Sequence, residues 1–303
     1  MTAVKITFWG TRGSIPTPST ANFLTRRFGG NTACLSVRIP GQLLILDAGS
    51  GLRNLGLELA ATVAAPLRAS FFFSHCHWDH LQGFPFFPPC FDARNTFELY
   101  AGPADAGNAS GGALERTLRA QQQSLPVPLA EMGATLNFHE MQDGASVELP
   151  GTAGKLLVTS GALHHPGGCR GYRIEAHTRA GIKALVFATD TEHQAQNSPN
   201  LQRLARDADL LVYDAQYTVE EYEGRQGVAR RNWGHSTWFH GLREAREARV
   251  KRLVLFHHDP QHDDWAVARI ENEARQEGRK WGLEVDAAYE GLEIELLTEA
   301  VRE

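Results

Sequence analysis

Cysteine is scarce in this chain, which has four cysteines among 303 residues and no Cys-x-x-Cys pair. That pattern excludes the disulfide framework of a small secreted domain. Long apolar runs are lacking as well: no window approaches 18 consecutive apolar residues, and Met1–Phe8 enters a strand instead of the apolar stretch of a signal peptide. We therefore expect no membrane span, no membrane partner and a cytoplasmic protein.

Concentrated positive charge is a further absence. The net charge is −5, the pI lies near 6.2, and no Lys/Arg-rich block occurs. Proteins that bind structured nucleic acid neutralise many phosphates with basic side chains, and this composition offers no large footprint of that kind. The charge balance argues against structured nucleic acid as a partner.

The hydrophobic content is 42%, enough for a large core, and we expect a single domain over residues 1–303 because no repeat or low-complexity linker divides the chain. Strand-length apolar runs and helical patterns indicate an α/β protein. The predicted strands are Val4–Trp9, Cys34–Ile39, Leu43–Asp47, Phe71–Ser74, Lys155–Thr159, Tyr172–His177, Leu185–Ala188, Leu210–Tyr213, Leu253–Phe256, Glu284–Tyr289 and Leu292–Leu297. The predicted helices are Asn54–Thr62, Gly112–Gln123, Ser198–Arg206, Trp238–Ala248 and Asp264–Glu277. Residues 103–141 are predicted to be an insertion that could cover a functional site as a lid.

Three histidines and an aspartate lie within six residues: His75, His77, Asp79 and His80. The apolar run Leu67–Ser74 reads as a buried strand that delivers them at its C-terminal end, where α/β sheets bind ligands. Imidazole nitrogens and carboxylate oxygens are ligands for a divalent ion such as zinc. Four of them in one short turn can hold two ions.

This HxHxDH spacing resembles the signature of the metallo-β-lactamase superfamily, in which a lone His, an Asp and a final His follow. The matching positions are His165, which precedes Gly171-Tyr172 at the family spacing, then Asp190 and His257, each after an apolar strand. His164 and His258 remain alternatives to their neighbours.

The resemblance implies a four-layer αββα metallo-β-lactamase sandwich with metals at one edge, between the two sheets. It implies two divalent ions, zinc or alternatively manganese or iron, with a bridging hydroxide as nucleophile. The implied ligands are His75, His77 and His165 for one ion, and Asp79, His80 and His257 for the other, with Asp190 shared.

Flanking residues resemble the phosphodiesterase and ribonuclease Z branch. After His80 the chain runs Leu81–Pro85, which matches the DHxxGxP stretch of that branch, and the Gly-Gly pair usual in lactamases and thioesterases is absent. The segment Phe8–Pro16 is similar to the first strand and Gly-Thr turn of the branch. Arg12 in this segment is expected to contact phosphate. The alternative is that Arg12 is a solvated side chain in a tight turn.

The stretch Trp233–Thr237 resembles the HST motif of this branch, which implies that His235 sits beside the scissile phosphate. His235 is not needed as a ligand, so it is free to donate a proton to the leaving alkoxide. Ser236 and Thr237 are expected to contact substrate. The alternative is a loop histidine before a helix that starts near these two residues. Asp79 is expected to serve catalysis as well as metal binding.

Two further aspartates end predicted strands. Asp47 lies in Leu43–Gly51, which resembles the DxGxG stretch of the family, and Asp214 ends Leu210–Asp214. We expect both to orient ligand histidines rather than to bind metal.

These motifs favour a phosphodiesterase acting on a small substrate, such as a cyclic nucleotide or cyclic phosphate. Only about two dozen residues separate His165 from Asp190, too few for the tRNA-binding arm that many ribonuclease Z members insert there. The alternatives are a lactone, thioester or β-lactam hydrolase on the same metals and, in another class, a di-iron redox or sensor protein. Known di-iron members often replace the second His with Glu, whereas His77 keeps imidazole. Homodimers are common in this branch, so a homodimer is possible, and the sequence does not decide the oligomeric state.

Overall fold

The computed structural model describes residues 4–64, 66–103, 112–120, 127–179, 181–193, 198–225 and 227–296. Within these ranges the strands form two seven-stranded sheets. The first sheet has the order β14-β1-β2-β3-β4-β5-β6, and its neighbours from β3 to β6 run parallel. Its strands are β1 Lys5–Gly10, β2 Cys34–Ile39, β3 Gln42–Leu46, β4 Arg68–Phe72, β5 Thr96–Ala101, β6 Thr135–Glu140 and β14 Glu293–Glu295.

The second sheet is built from the C-terminal half in the order β13-β12-β11-β10-β9-β8-β7. Neighbours from β7 to β10 pair antiparallel, and those from β10 to β13 pair parallel. Its strands are β7 Ser146–Gly151, β8 Gly154–Leu163, β9 Cys169–Thr178, β10 Gly181–Ala188, β11 Leu210–Asp214, β12 Arg252–Phe256 and β13 Glu284–Ala287.

Helices cover the outer faces of both sheets. They are α1 Leu52–Thr62, α2 Ala113–Ala120, α3 Pro199–Ala205, α4 Val219–Glu223, α5 Trp238–Glu247 and α6 Asp264–Lys280. Several begin at a side-chain cap: Ser198, Thr237 and Asp263 each accept a hydrogen bond from a backbone N–H of the first turn of α3, α5 and α6 respectively. These caps explain where the chain turns from loop to helix.

The core has three layers of apolar packing. Residues such as Phe8, Phe72 and Phe187 fill the space between the sheets. The outer face of the second sheet packs against α3, α5 and α6, and the outer face of the first packs against α1 and the phenylalanine-rich turn after β4. Buried positions of α6 such as Ile270 and Ala274 recur at helical spacing, as expected for a helix with one face on a sheet. The predicted four-layer αββα sandwich is confirmed.

The segment 103–141 lies only partly in the described region, because residues 104–111 and 121–126 fall outside it. The described part contains α2 and β6, and β6 pairs in parallel with β5. Its C-terminal part is therefore a strand of the first sheet, and the lid role stays a prediction. The two final strands both lie at sheet edges, as predicted, but on different sheets: β13 on the second and β14 on the first. In the described part of the chain, no helix has both the length and the hydropathy needed to cross a bilayer.

Candidate active site

Strand ends from both sheets meet at one edge of the sandwich. His75 follows β4 in the first sheet, whereas His165, Asp190 and His257 follow β8, β10 and β12 in the second. Seven residues predicted as ligands thus come together in one buried cluster, although the first and the last are more than 180 positions apart in the sequence. Only His77 among them is exposed.

One group within the cluster contains His75, His77 and His165, which offer nitrogen atoms within 4.8 Å of one another. His165 Nε2 lies 3.1 Å from His77 Nδ1. A second group contains Asp79, His80 and His257, in which Asp79 Oδ2 lies 3.2 Å from His80 Nε2 and 3.1 Å from His257 Nε2. Each group presents three donor atoms to a common centre.

Asp190 stands between the two groups and turns one oxygen to each. Its Oδ1 lies 3.8 Å from His75 Nε2 and 3.9 Å from His165 Nε2. Its Oδ2 lies 3.3 Å from both His80 Nε2 and His257 Nε2. A carboxylate in this position can be shared by two cations.

The donor atoms fit divalent ions because some of them have no other partner. His75 Nε2 and His80 Nε2 are buried and make no hydrogen bond. Leaving buried polar atoms unpaired costs about 1–3 kcal/mol each, a cost that a bound cation would remove. Nitrogen and carboxylate donors in this number are those that zinc and its neighbours accept.

The electrostatics of the cluster also favour a cation. Burial, aided by the nearby His80, holds the pKa of His75 well below its ordinary value, so its lone pair is available. Burial opposes ionisation of Asp190, yet the imidazoles of His257, His80 and His75 hold the pKa of this carboxyl well below its usual range. Burial disfavours the imidazolium of His80, but the surrounding carboxylates raise the pKa of His80 well above its ordinary value, so a cation that binds there would displace a proton.

Hydrogen bonds to the outward nitrogens orient three of the imidazoles. Asp47 Oδ2 lies 2.7 Å from His80 Nδ1. His165 Nδ1 lies 2.7 Å from the carbonyl oxygen of Gly234, and His257 Nδ1 lies 2.8 Å from Gln216 Oε1. An acceptor at Nδ1 fixes the proton there and leaves Nε2 free to bind a cation.

Sequence reasoning missed Gln216 and the Gly234 carbonyl. A signal for Gln216 exists, because it follows Asp214 by two residues at the end of β11 and side chains two apart share a face of an extended chain. The Gly234 carbonyl carries no such signal, since its role follows from the path of a distant loop. Ser74 was also missed; its Oγ donates to Asp47 Oδ2 at 2.8 Å and lies 3.1 Å from His75 Nδ1.

Three site residues adopt the left-handed backbone conformation that favours glycine: Asp47, Asp190 and His257, with φ values of 57°, 51° and 63°. Non-glycine residues in this region carry strain, and such strain concentrates at functional sites. The neighbouring Gly49 is needed for close packing, because a Cβ there would lie 2.3 Å from the carbonyl oxygen of Asp79.

His235 borders the cluster without belonging to either group of three. Its Nδ1 lies 2.8 Å from Asp214 Oδ2 and 3.8 Å from Asp190 Oδ1. Burial disfavours the imidazolium, but Asp214, with Asp190 and Asp79, raises the pKa of His235 to about 9. Asp214 was predicted to orient a ligand histidine; in the structure it bonds His235, the predicted catalytic histidine.

Two pairs of adjacent histidines, at 164–165 and 257–258, each offered two candidate ligands, and the structure distinguishes them. His164 is exposed, while His165 lies in the cluster. His258 is buried elsewhere, with its Nε2 2.8 Å from the carbonyl oxygen of Ala288, and burial lowers its pKa to about 3. The structure therefore brings His165 and His257 to the cluster and their neighbours away from it.

Three predicted substrate contacts need correction. Arg12 is fully buried, and its guanidinium donates to the carbonyl oxygens of Gly29, Asp259 and His262, so it holds loops together instead of facing substrate. The other two, Ser236 and Thr237, are also fully buried.

The HST segment uses those two hydroxyls internally. Ser236 Oγ accepts from Tyr213 OH at 3.0 Å, and Thr237 caps α5 by accepting from the backbone N–H of His240. The helix start considered as the alternative is thus present at Thr237. His235 itself still faces the cluster.

The sandwich with a His/Asp cluster at one sheet edge defines a hydrolase of the metallo-β-lactamase fold that uses divalent metal ions. The chain belongs to the β-lactamase superfamily, because the family model described as "Beta-lactamase superfamily domain" matches residues 44–258. The resemblance stated from the motifs is confirmed.

Relatives and solved structures agree with this membership. Ribonuclease Z of Myxococcus xanthus (strain DK1622) is 25% identical over an alignment of 345 positions. The alignment covers 98% of this chain and 99% of that protein. The metallo-beta-lactamase fold protein YhfI from Bacillus subtilis shares the fold with a TM-score of 0.66 and 21% identity, covering 97% of this chain and 100% of that one. Human tRNase Z, short form, has a TM-score of 0.63 and 19% identity, with coverage of 97% and 100%.

The prediction that a structured nucleic acid is not a partner is wrong as it stood. A relative named ribonuclease Z matches 98% of this chain, and one structural neighbour is a tRNase. The physical error lies in the use of net charge, which sums over the whole chain and does not describe one surface. Two exposed arginines, Arg225 and Arg231, lie in the segment before His235.

Proposed function

We propose that this chain hydrolyses phosphodiester bonds with two divalent ions, zinc being the best match to the donor atoms. The proposed ligands of one ion are His75, His77 and His165, and those of the other are Asp79, His80 and His257, with Asp190 bound to both. The support is the division of donors into two groups of three around one carboxylate whose oxygens face opposite ways.

Divalent ions in this position supply a nucleophile at neutral pH and neutralise charge on the phosphoryl oxygens. The chain's own part is to hold the donors in place and to move a proton. Asp214 accepts from His235 Nδ1, so Nε2 is the nitrogen that delivers a proton to the leaving oxygen. Asp79 serves catalysis by holding its ion beside His257.

The observation that carries this proposal is the Asp214–His235 pair at the border of the cluster. His235 is an imidazole oriented by a carboxylate, and it belongs to neither group of three proposed ligands. It is therefore available for the acid catalysis that an alkoxide leaving group needs. Hydrolysis of a lactone or β-lactam on the same metals also releases a group that needs a proton, so the choice of a phosphodiester over this alternative rests on the similarity to ribonuclease Z.

Two substrate classes fit the proposal. Sequence motifs favoured a small cyclic nucleotide or cyclic phosphate. RNA is favoured by the similarity to ribonuclease Z over 98% of the chain. The second class does not need a long arm after His165 if the arginines near His235 contact the RNA backbone.

The test is a comparison of kcat/KM for bis-p-nitrophenyl phosphate, nitrocefin and a lactone, together with cyclic nucleotides and a tRNA precursor, using metal-replete protein. We expect the phosphodiesters to be preferred. For a substrate with an alkoxide leaving group, such as a cyclic nucleotide, His235→Ala should lower kcat by about 10²–10⁴-fold and leave the metal content unchanged.

His164→Ala is the matched control, since it removes an exposed imidazole next to a proposed ligand and should leave kcat unchanged. Preference for nitrocefin or the lactone would refute the phosphodiesterase proposal. Metal loss in His235→Ala would make His235 a ligand, and an iron-loaded protein without hydrolytic activity would favour the redox class.

A further inference from the structure

A cavity of about 650 Å³ opens beside His235, within the range of about 300–1,000 Å³ typical of small-molecule sites. Trp233 and Val228 line it on one side and Ser14 on another. The backbone N–H of Ser14 donates to Asp79 Oδ2 at 2.7 Å. The cavity is therefore directly adjacent to the proposed metal ligands and to the proposed acid.

The loop that carries Trp233 is firmly anchored. The Glu192 carboxylate, only 4% exposed, accepts from the backbone N–H groups of Asn232 at 2.6 Å and Gly234 at 3.0 Å. Arg230 pairs with Asp259 at 2.6 Å. The backbone on both sides of Trp233 is thus fixed by buried acceptors.

Trp233 is 52% exposed in spite of this anchored backbone, with the Arg230 guanidinium 5.8 Å from the centroid of its ring. Val228, on the same cavity wall, is 75% exposed. A large aromatic ring that remains open to solvent on a fixed loop gives up apolar burial that packing would otherwise provide. Such a ring beside a catalytic group is suited to stack a planar ligand.

Nucleobases are planar ligands that stack on aromatic side chains, with little dependence on base identity. The position of the cavity selects which part of a substrate reaches it. His235 is proposed to protonate the leaving oxygen, so the leaving group must extend towards the cavity that His235 borders.

We propose that this cavity binds the base of the nucleoside on the leaving-group side of the scissile bond, stacked on Trp233. The assignment to the leaving-group side rests on the proposed function of His235, whereas binding of the base is measured independently of that function. A base-binding cavity beside His235 makes the substrate class a nucleotide phosphodiester.

The test measures binding of adenosine 5′-monophosphate and ribose 5-phosphate by isothermal titration calorimetry, because the two probes differ only by the base. Wild-type protein should bind the nucleotide about 5- to 150-fold more tightly than the sugar phosphate. Trp233→Ala should abolish this difference without weakening ribose 5-phosphate, and Trp233→Phe should retain most of it.

Trp265→Ala is the matched control. Trp265 is 78% exposed on α6 and does not line the cavity, so this variant should keep the wild-type preference. Equal binding of the two probes by the wild type, or a preserved preference in Trp233→Ala, would overturn the inference. Neither result bears on bis-p-nitrophenyl phosphate hydrolysis, which tests the proposed function separately.

Discussion

Replacement of Asp47 with alanine measures how far the metal centre depends on a residue outside the proposed ligand set. Asp47 is fully buried and accepts three hydrogen bonds. They come from the backbone N–H of Ser74 at 2.7 Å, from Ser74 Oγ at 2.8 Å and from His80 Nδ1 at 2.7 Å. Without this carboxylate, the His80 ring has no acceptor to fix its proton on Nδ1.

The magnitude follows from those contacts. Loss of an orienting carboxylate behind a metal-bound histidine typically weakens metal binding about 10- to 100-fold, or about 1.4–2.7 kcal/mol. The backbone N–H of Ser74 would also be left buried and unpaired, whereas Ser74 Oγ still has His75 Nδ1 at 3.1 Å, so the free energy of unfolding should fall by about 1–3 kcal/mol. Both effects should appear in the same variant.

The assay combines a zinc titration against a competing chelator with urea unfolding of metal-free protein. Asp207→Ala is the matched control, because Asp207 has the same left-handed backbone, with φ of 54° against 57° at Asp47, but lies on the surface and pairs with Arg249. The control corrects for backbone strain alone. Wild-type zinc affinity in Asp47→Ala, with no more destabilisation than in Asp207→Ala, would refute the reasoning.

Two other predictions concern the bridging carboxylate and the response to acid. Asp190→Ala should release at least one ion per chain, as counted by elemental analysis, and full occupancy of both sites would rule out the bridging role. Burial lowers the pKa of His193 to about 4 and that of His240 to about 3. Because the unfolded chain binds protons near pH 6.5, their contribution to stability is complete above about pH 6.5 and is lost as the pH falls towards 4. The double variant His193→Asn/His240→Asn should therefore lose less unfolding free energy than wild type over that interval, in urea titrations at several pH values; parallel pH profiles would contradict this.

The strands that could be predicted are those with long apolar runs. β4 and β12, for example, are buried on both faces, and a continuous apolar stretch reveals such strands. Three strands, β5 to β7, were not predicted: the period-2 alternation of β5 was a strand signal that was overlooked, and β6 and β7 lie mostly half or fully exposed. β6 is an edge strand, and its sequence TLNFHE carries little hydrophobic signal. Its existence depends on pairing with β5, which a local pattern does not encode.

The site shows the same division between local and long-range information. The ligand positions could be inferred because a strand end is a local feature and the HxHxDH spacing is specific. Arg12 was misplaced because a charged side chain is usually exposed, whereas here it is buried and donates to three backbone carbonyls in the interior. Ser236 and Thr237 were misassigned for a related reason: hydroxyls near a catalytic histidine can serve a helix cap as well as a substrate.

The cluster draws on both sheets, and its last member, His257, follows the penultimate strand of the second. A nascent chain on the ribosome therefore presents the His75–His80 turn long before the carboxylate and imidazoles from the other sheet exist. Any ion captured at that stage would meet an incomplete and solvent-open set of donors. Tight loading must wait until synthesis has passed residue 257 and the two sheets have docked, so that metal uptake reports the docking of the two sheets.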